Sequence, residues 1–474
     1  MKDEASRWKT LSPLLWIILG AILVRFIGLT RESFWNDETY TGYLAQLPSL
    51  KQVLHFISYD VHPPGYFSLV WGWGRLFGMS DYSLRATSAV AGVLLVPVAY
   101  RIGKQLFDAK TGMISAFISA FIFQSIYYSQ ELRAYIFLAL LSALSVTILL
   151  DCLHSLEAQE KQSPWRYFGL LLVCGLNGYF HYFGLMFSAL VAATFVIYAF
   201  RFRRQRKIAL LFGAGFFAMY LPWLPVALHS VNRTSWMQRP DARFVIESAN
   251  IFYGPGRVLD AIVVGVILCG FGYALFKKGW KGIEAGDRWL LAWIFVPLAI
   301  SVSISLTVRP VYSPRNLLIA GVAAWILLAR AITLLPWRSV YQWGLAIGVL
   351  AICHVLQIVS PTHGYFVKPT KQQFREAAAY VATHNTERLP IYAIDWDTEN
   401  YAYYLSYVHQ DGLIKTLSDL DIQSKGLRAL IGDQRFWLAT GGLNVYDFDD
   451  LNQGFRVIDQ AHFLLADVYL VERK

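Results

Sequence analysis

LRATSAVAGVLLVPVAYRI (84–102), TGMISAFISAFIFQSIYYS (111–129) and LRAYIFLALLSALSVTILLD (132–151) follow one another almost without interruption. Each matches the ~20 mostly apolar residues that cross a hydrocarbon core as a helix. Working outward, similar runs occupy 11–29, 165–182, 184–200, 208–228, 258–276, 289–308, 316–335 and 342–359, which makes about eleven predicted spans. The stretch PPGYFSLVWGWGRLFG (63–78) is apolar but short and Trp-rich, so it is read as interfacial or re-entrant rather than spanning. The first run is too long for a signal-peptide core and lacks a clear small-residue cleavage site.

Composition agrees. Of 474 residues, 56% are hydrophobic and 16% charged, with a mean hydropathy of +0.41; soluble domains carry ~25% charge. The 16 Trp and 27 Tyr suit headgroup-level belts. The net charge of +10 does not indicate nucleic acid, because the basic residues sit in short loops between apolar runs. The clusters Arg101/Lys104/Lys110, Arg201/Arg203/Arg204/Arg206/Lys207 and Lys277/Lys278/Lys281 fall on one face if the spans alternate, together with Lys2, Arg7 and Lys9. That face is predicted to be cytoplasmic, with the C-terminus outside the inner (cytoplasmic) membrane. Cys152, Cys174, Cys269 and Cys353 lie in or beside apolar runs without paired or metal-like spacing, and read as small buried side chains.

The predicted division is 1–359, a membrane domain whose first outer loop is 30–64, and 360–474, a small extracytoplasmic α/β domain. In the latter, Thr370 and Gln373 read as a capping box opening a helix over 371–383. Residues 390–395, 435–440 and 467–472 read as strands, and 399–408 as a helix.

Three outer loops hold most of the polar groups with chemical potential. The first carries Asp37, Glu38, Asp60 and His62; the second, YYSQELRAY (127–135), carries Gln130, Glu131 and Arg133; the third, RPVYSPRN (309–316), carries Arg309 and Arg315. His181 stands at an outer helix end. Carboxylates and arginines held at the hydrocarbon boundary are costly and point to function. Together they suit transfer at a phosphate ester, with a carboxylate as general base and arginines holding the leaving phosphate. Each has a plainer alternative. Asp37-Glu38 also reads as a solvated helix start, His62-Pro63-Pro64 as a rigid turn, and Glu131, Arg133, Arg315 and Arg25 as snorkelling or anchoring side chains. The sequon Asn232-Arg233-Thr234 matters only in a glycosylating secretory pathway. Asp395-Trp396-Asp397 and 447–450 lack the Gly and closing Glu of a calcium loop.

The order FWNDETYT (34–41), DVHPPGYF (60–67), SLRATSAVAGVLLVPVAYRIGKQLF (83–107) and YYSQELRAY (127–135) resembles the GT-C membrane glycosyltransferases. The nearest type is family 39, the protein mannosyltransferase and lipid A aminoarabinose transferase-like group. Residues 10–190 carry most of the likeness. SPRNLLIAG (313–321) resembles a later motif, with Asn316 where Tyr is common. The resemblance implies a polyprenyl-phosphate-linked sugar donor and inverting transfer to an extracytoplasmic acceptor: a cell-surface glycan, a lipid or a protein. It implies that Asp37 is the catalytic carboxylate on a short interfacial helix, and it puts Glu131 where related enzymes have a second acidic residue or a neighbour of one. Arg133 and Arg315 would hold the donor phosphate, and His62 would shape the loop. Dependence on a divalent metal varies in this group and stays open here. A transporter or flippase for a lipid-linked saccharide is the alternative, but the charges cluster in outer loops rather than at the bilayer midplane. The loop 230–257, with Arg233, Arg239, Arg243 and Arg257 beside Trp236, Phe244 and Tyr253, reads either as a selectivity element or as a polar surface.

Overall fold

The computed structural model describes residues 2–159, 163–230, 237, 239–242, 250–359, 367–395, 397–441 and 454–474. Among these, seven helices are long and apolar enough to cross a membrane: Asp81–Leu106, Tyr135–Glu157, Tyr182–Phe200, Arg257–Gly282, Ala285–Thr307, Pro314–Leu334 and Ser339–Val359. The protein is a multi-pass, mainly helical membrane protein with a small C-terminal sheet. The other four expected spans are helical but shorter or broken. The first helix, Lys2–Phe26, is apolar only over Pro13–Phe26. The run at 165–182 is the 17-residue helix Pro164–Phe180, and the run at 208–228 divides into Arg206–Tyr220 and Leu224–Ser230. The run at 111–129 becomes Ala109–Phe121 and Phe123–Ser129, bent by 53°. Counting that bent pair gives eight spans. The short stretch at 63–78 forms the 13-residue helix Gly65–Phe77.

The bend has a local cause. Ile122 leaves the helical conformation (φ −68°, ψ 135°), so the preceding helix loses hydrogen-bond partners for its last carbonyls. His354 Nε2 bonds the Phe121 carbonyl at 2.7 Å. Irregular backbone at membrane depth is tolerated where protein satisfies it in this way.

The chain forms two compact units, each discontinuous in sequence. The first comprises Met1–Ile27, Leu54–Leu69 and Ala86–Gln357; the second comprises Gly28–Val53, Val70–Arg85 and Ile358–Lys474. In the first, Gly321–Leu334 is the central helix. Every residue from Gly321 to Ile332 is buried, and it packs against Ala109–Phe121 and Arg257–Lys278. Gly270 allows the latter approach: a Cβ there would lie 2.2 Å from the Ala331 carbonyl oxygen. Arg25 is fully buried in this unit rather than snorkelling. Its Nε donates to Ser129 Oγ (3.1 Å), Nη1 to the Ala21 and Ala120 carbonyls (3.3 and 2.8 Å), and Nη2 to the Ser119 carbonyl and Ser125 Oγ (3.0 and 2.8 Å). All five guanidinium N–H groups are thus used. Cys152, Cys174 and Cys353 are buried as expected, whereas Cys269 is exposed on its helix.

In the second unit, β1 (Ile391–Ile394), β2 (Ile414–Leu417), β3 (Arg435–Gly441), β4 (Phe455–Phe463) and β5 (Ala466–Arg473) form one sheet in the order β2-β1-β3-β5-β4. β1 is parallel to β2 and β3; β5 is antiparallel to β3 and β4. β1 is buried along its whole length, as a central parallel strand should be. Ile394, Leu438, Phe436, Tyr469 and Val471 form its core with Leu417, Ile422 and Leu427. β2 and β4 are additional to the strands expected from the sequence. The predicted capping box is not formed. The helix starts at Phe374 without a side-chain cap. Thr370 Oγ1 instead donates to the Glu32 carboxylate, and Gln373 Oε1 accepts from the Leu464 amide.

Candidate functional site

In the second unit, Asp37 and Glu38 open the helix Asn36–Gln46. Acidic residues in a first turn complement the helix dipole, and consecutive residues diverge by ~100° around the axis. The two carboxylates therefore have different surroundings. Glu38 is fully buried, whereas Asp37 is partly exposed. Glu38 meets Arg85 in a bidentate pair, Nε–Oε1 2.8 Å and Nη2–Oε2 2.6 Å. Arg85 also donates to the carbonyls of Leu29 (2.8 Å), Glu32 (2.7 Å) and Ser33 (3.1 Å), and lies 4.7 Å from the centre of the Phe34 ring. This guanidinium too spends all five N–H groups, here shaping residues 29–38 into one turn. Lys371 Nζ adds a second cation, 3.2 Å from Glu38 Oε2.

In the first unit, the turn after Phe123–Ser129 carries Gln130, Glu131 and Arg133, all buried. They do not snorkel. Gln130 Nε2 donates to the carbonyls of Val24, Arg25 and Ile27, closing the end of the first helix. The Arg133 and Arg315 guanidinium groups both approach the Tyr135 ring, at 6.0 and 5.9 Å from its centre. Glu131 and Arg315 both act electrostatically on the Tyr128 phenol. Ser313 and Pro314 begin the turn that presents Arg315, with Pro in the first position, where its missing N–H costs nothing.

The HPP segment lies beside this turn. Asp60 Oδ1 accepts from the His62 backbone N–H (3.1 Å) and sits 2.8 Å from His62 Nδ1. His62 Nε2 in turn lies 3.3 Å from Arg133 Nη2. Asp60 thus orients His62, and His62 orients Arg133. Gly65 lets the following helix approach closely, since a Cβ there would meet the Tyr179 carbonyl oxygen at 2.7 Å.

His181 joins the same cluster, its ring 5.9 Å from that of His62 and 6.1 Å from that of Tyr135. Its Nδ1 accepts from the Phe183 amide at 3.1 Å, capping helix Tyr182–Phe200. Burial, helped by the nearby His62 and Arg133, pushes its pKa down to about 3 from 6.5, so the folded ring is neutral with its proton on Nε2. The unfolded ring takes up a proton below 6.5, so the folded chain binds fewer protons between about 3 and 6.5. His181 therefore contributes stability that is present above 6.5 and lost as pH falls through that window. Replacing His181 with Asn, which also caps helices, is expected to shrink the drop in melting temperature between about pH 7.5 and about pH 5. An unchanged drop would remove His181 as its source.

Asp60, His62, Arg133 and His181 thus come together, with Arg315 joined through Tyr135. Sequence reading missed Arg85, Lys371, Asp81, Tyr403, Tyr404 and Asn400. The signal for Arg85 was available, as an arginine inside an apolar run is a functional or organising residue by default. The others act through contacts distant in sequence. Asp397, part of the calcium-like segment, instead accepts from the Gly441 amide at 2.7 Å. Trp396, residues 447–450, the sequon 232–234, and Arg233, Trp236, Arg243 and Phe244 lie outside the described residues. Among the described residues, no group of three or more His, Cys, Asp or Glu side chains is placed to hold a metal ion.

The fold is that of a polytopic, mainly helical membrane protein with a small C-terminal sheet, and it is shared with solved membrane proteins. Residues 61–225 match the family profile described as dolichyl-phosphate-mannose-protein mannosyltransferase. The chain is similar to ArnT from Cupriavidus metallidurans. Against the apo crystal structure the TM-score is 0.61 at 12% identity, covering 98% of each chain. Against the form bound to undecaprenyl phosphate it is 0.58 at 13%, covering 96% of this chain and 97% of that one. It is also similar to the archaeal oligosaccharyltransferase AglB from Archaeoglobus fulgidus, in complex with an inhibitory peptide and a dolichol-phosphate. That TM-score is 0.53 at 13% identity, covering 91% of this chain and 69% of that one. A search of characterised protein sequences gives no match.

Proposed function

We propose that the protein transfers a sugar from a polyprenyl-phosphate-linked donor to an acceptor on the outer face of the cytoplasmic membrane, with inversion at the anomeric carbon. The observation that carries this reading is the placement of Arg133 and Arg315 at one aromatic ring, Tyr135, in a buried turn that also holds Glu131. Two guanidinium groups so held suit a phosphate, which they bind through parallel N–H donors. Asp60 and His62 keep Arg133 in its orientation. The similarity to proteins solved with undecaprenyl phosphate and with a dolichol-phosphate points to the same donor class.

In the proposed step the acceptor oxygen attacks the anomeric carbon and its proton passes to the Asp37 carboxylate. The bond between that carbon and the phosphate oxygen breaks, and its electron pair leaves on the lipid phosphate. Arg133 and Arg315 balance the charge that develops there, the kind of stabilisation preorganised donors supply best. The acceptor is a cell-surface glycan, a lipid or a protein.

The test uses purified protein in lipid nanodiscs with a panel of radiolabelled polyprenyl-phosphate sugars, following label lost from the lipid. Wild type is expected to release label from at least one donor. Arg133→Ala is expected to lower the rate by about 10²–10³-fold, the scale for removing one transition-state donor. Movement of intact labelled lipid across the bilayer without a new covalent product would favour the transport reading instead.

A further inference from the structure

We infer that the C-terminal segment is a positioning element for Asp37, with Asn400 as the side chain that sets the Asp37 helix in place. This rests on the reading of Asp37 as the base. Residues 30–46 are held by side chains from 370–406 at nearly every turn, all within the second unit. Arg375 donates to the Thr30 and Arg31 carbonyls at 2.9 and 3.2 Å. Tyr404 Oη accepts from the Phe34 amide at 2.7 Å, and Gln372 Oε1 accepts from the Asn36 amide at 2.8 Å. Gln46 Nε2 donates to Ser406 Oγ at 2.9 Å.

The centre of this array is Asn400, 1% exposed. Its Nδ2 donates to Asn36 Oδ1 at 2.8 Å, and its Oδ1 accepts from Thr39 Oγ1. One amide therefore grips the residue before Asp37 and the residue two after it. Both ends of that amide are committed, so it has one orientation, and a single orientation fixes the rotation of the first helical turn. Gly42 permits the close approach, since a Cβ there would lie 2.6 Å from the Tyr403 ring. Tyr403 and Tyr404 in turn bond Asp81 Oδ1 and Oδ2 at 2.9 and 3.1 Å.

The test is Asn400→Ala in the full-length protein, read by hydrogen exchange and by donor turnover. Exchange should rise in 36–46 and stay unchanged in the strand peptides 391–394 and 435–441. Turnover should fall by about 10–100-fold, the scale for a misplaced catalytic group, with KM for the labelled donor unchanged. A merely structural residue would not separate kcat from KM in this way. If exchange rises in the strands as well, the more peripheral Gln372→Ala decides by the same two readouts. Unchanged exchange in 36–46 overturns the inference. So does raised exchange with wild-type kcat while Asp37→Asn is inactive, a result that leaves the Asp37 reading standing. Wild-type turnover in Asp37→Asn overturns that reading, and the inference with it.

Discussion

Asp37→Asn is expected to lower donor turnover by about 10²–10⁴-fold, the contribution of a positioned general base. Expression, membrane insertion and melting temperature should stay close to wild type. The side chains are nearly equal in size, Asp37 is partly exposed, and Asn400, Gln372 and Tyr404 hold the helix start it occupies. Asparagine keeps an oxygen and a favourable place in a first turn, but it cannot take the acceptor's proton. Comparison of label loss from the active donor in wild type and variant settles the role, and wild-type turnover would remove Asp37 from the mechanism.

One residue further on, Glu38→Ala is expected to act on the fold rather than on the chemistry. Arg85 would lose both carboxylate oxygens while staying buried at 2% exposure, and Lys371 would lose the same partner. Removing one member of a buried pair costs about 3–5 kcal/mol, because the charge left behind is uncompensated. The expected signs are a lower melting temperature and faster proteolysis within 28–53, as Arg85 ties Leu29, Glu32 and Ser33 to the same pair. Wild-type melting would show that the pair is not needed for the fold. Glu38→Gln, which keeps the shape and one acceptor, should lose less. Neighbouring carboxylates thus give opposite phenotypes, one kinetic and one thermodynamic.

Much of the architecture was readable from hydrophobic runs alone. Seven of the expected spans coincide with long apolar helices, because the ~20-residue requirement is a property of the bilayer and not of packing. Where packing mattered, the reading was coarser. Ile122 breaks an apolar run that looks continuous, and the distant His354 is what makes that break tolerable. Strand β4 was invisible because its alternating burial depends on pairing with β5. The capping box failed because Thr370 and Gln373 found partners at Glu32 and Leu464 instead of on their own helix.

Apolar run lengths and turn signals alone mark the chain as a many-span membrane protein with a C-terminal α/β region. The sequence also marks the loops in which Asp37, Asp60, His62, Glu131, Arg133 and Arg315 fall. Length of apolar run, placement of charge and short motifs are local quantities, and they survive any arrangement of the spans. Which charges are committed to holding the fold emerges from three-dimensional packing. Arg25, Arg85 and Glu38 look as functional in sequence as Arg133 and Asp37. Burial with every hydrogen-bonding group matched consigns Arg25 and Arg85 to the scaffold. The same long-range pairing joins residues 28–53 to the C-terminal segment in one compact unit. A hydrogen bond between residues more than three hundred positions apart leaves no periodicity for a sequence to display.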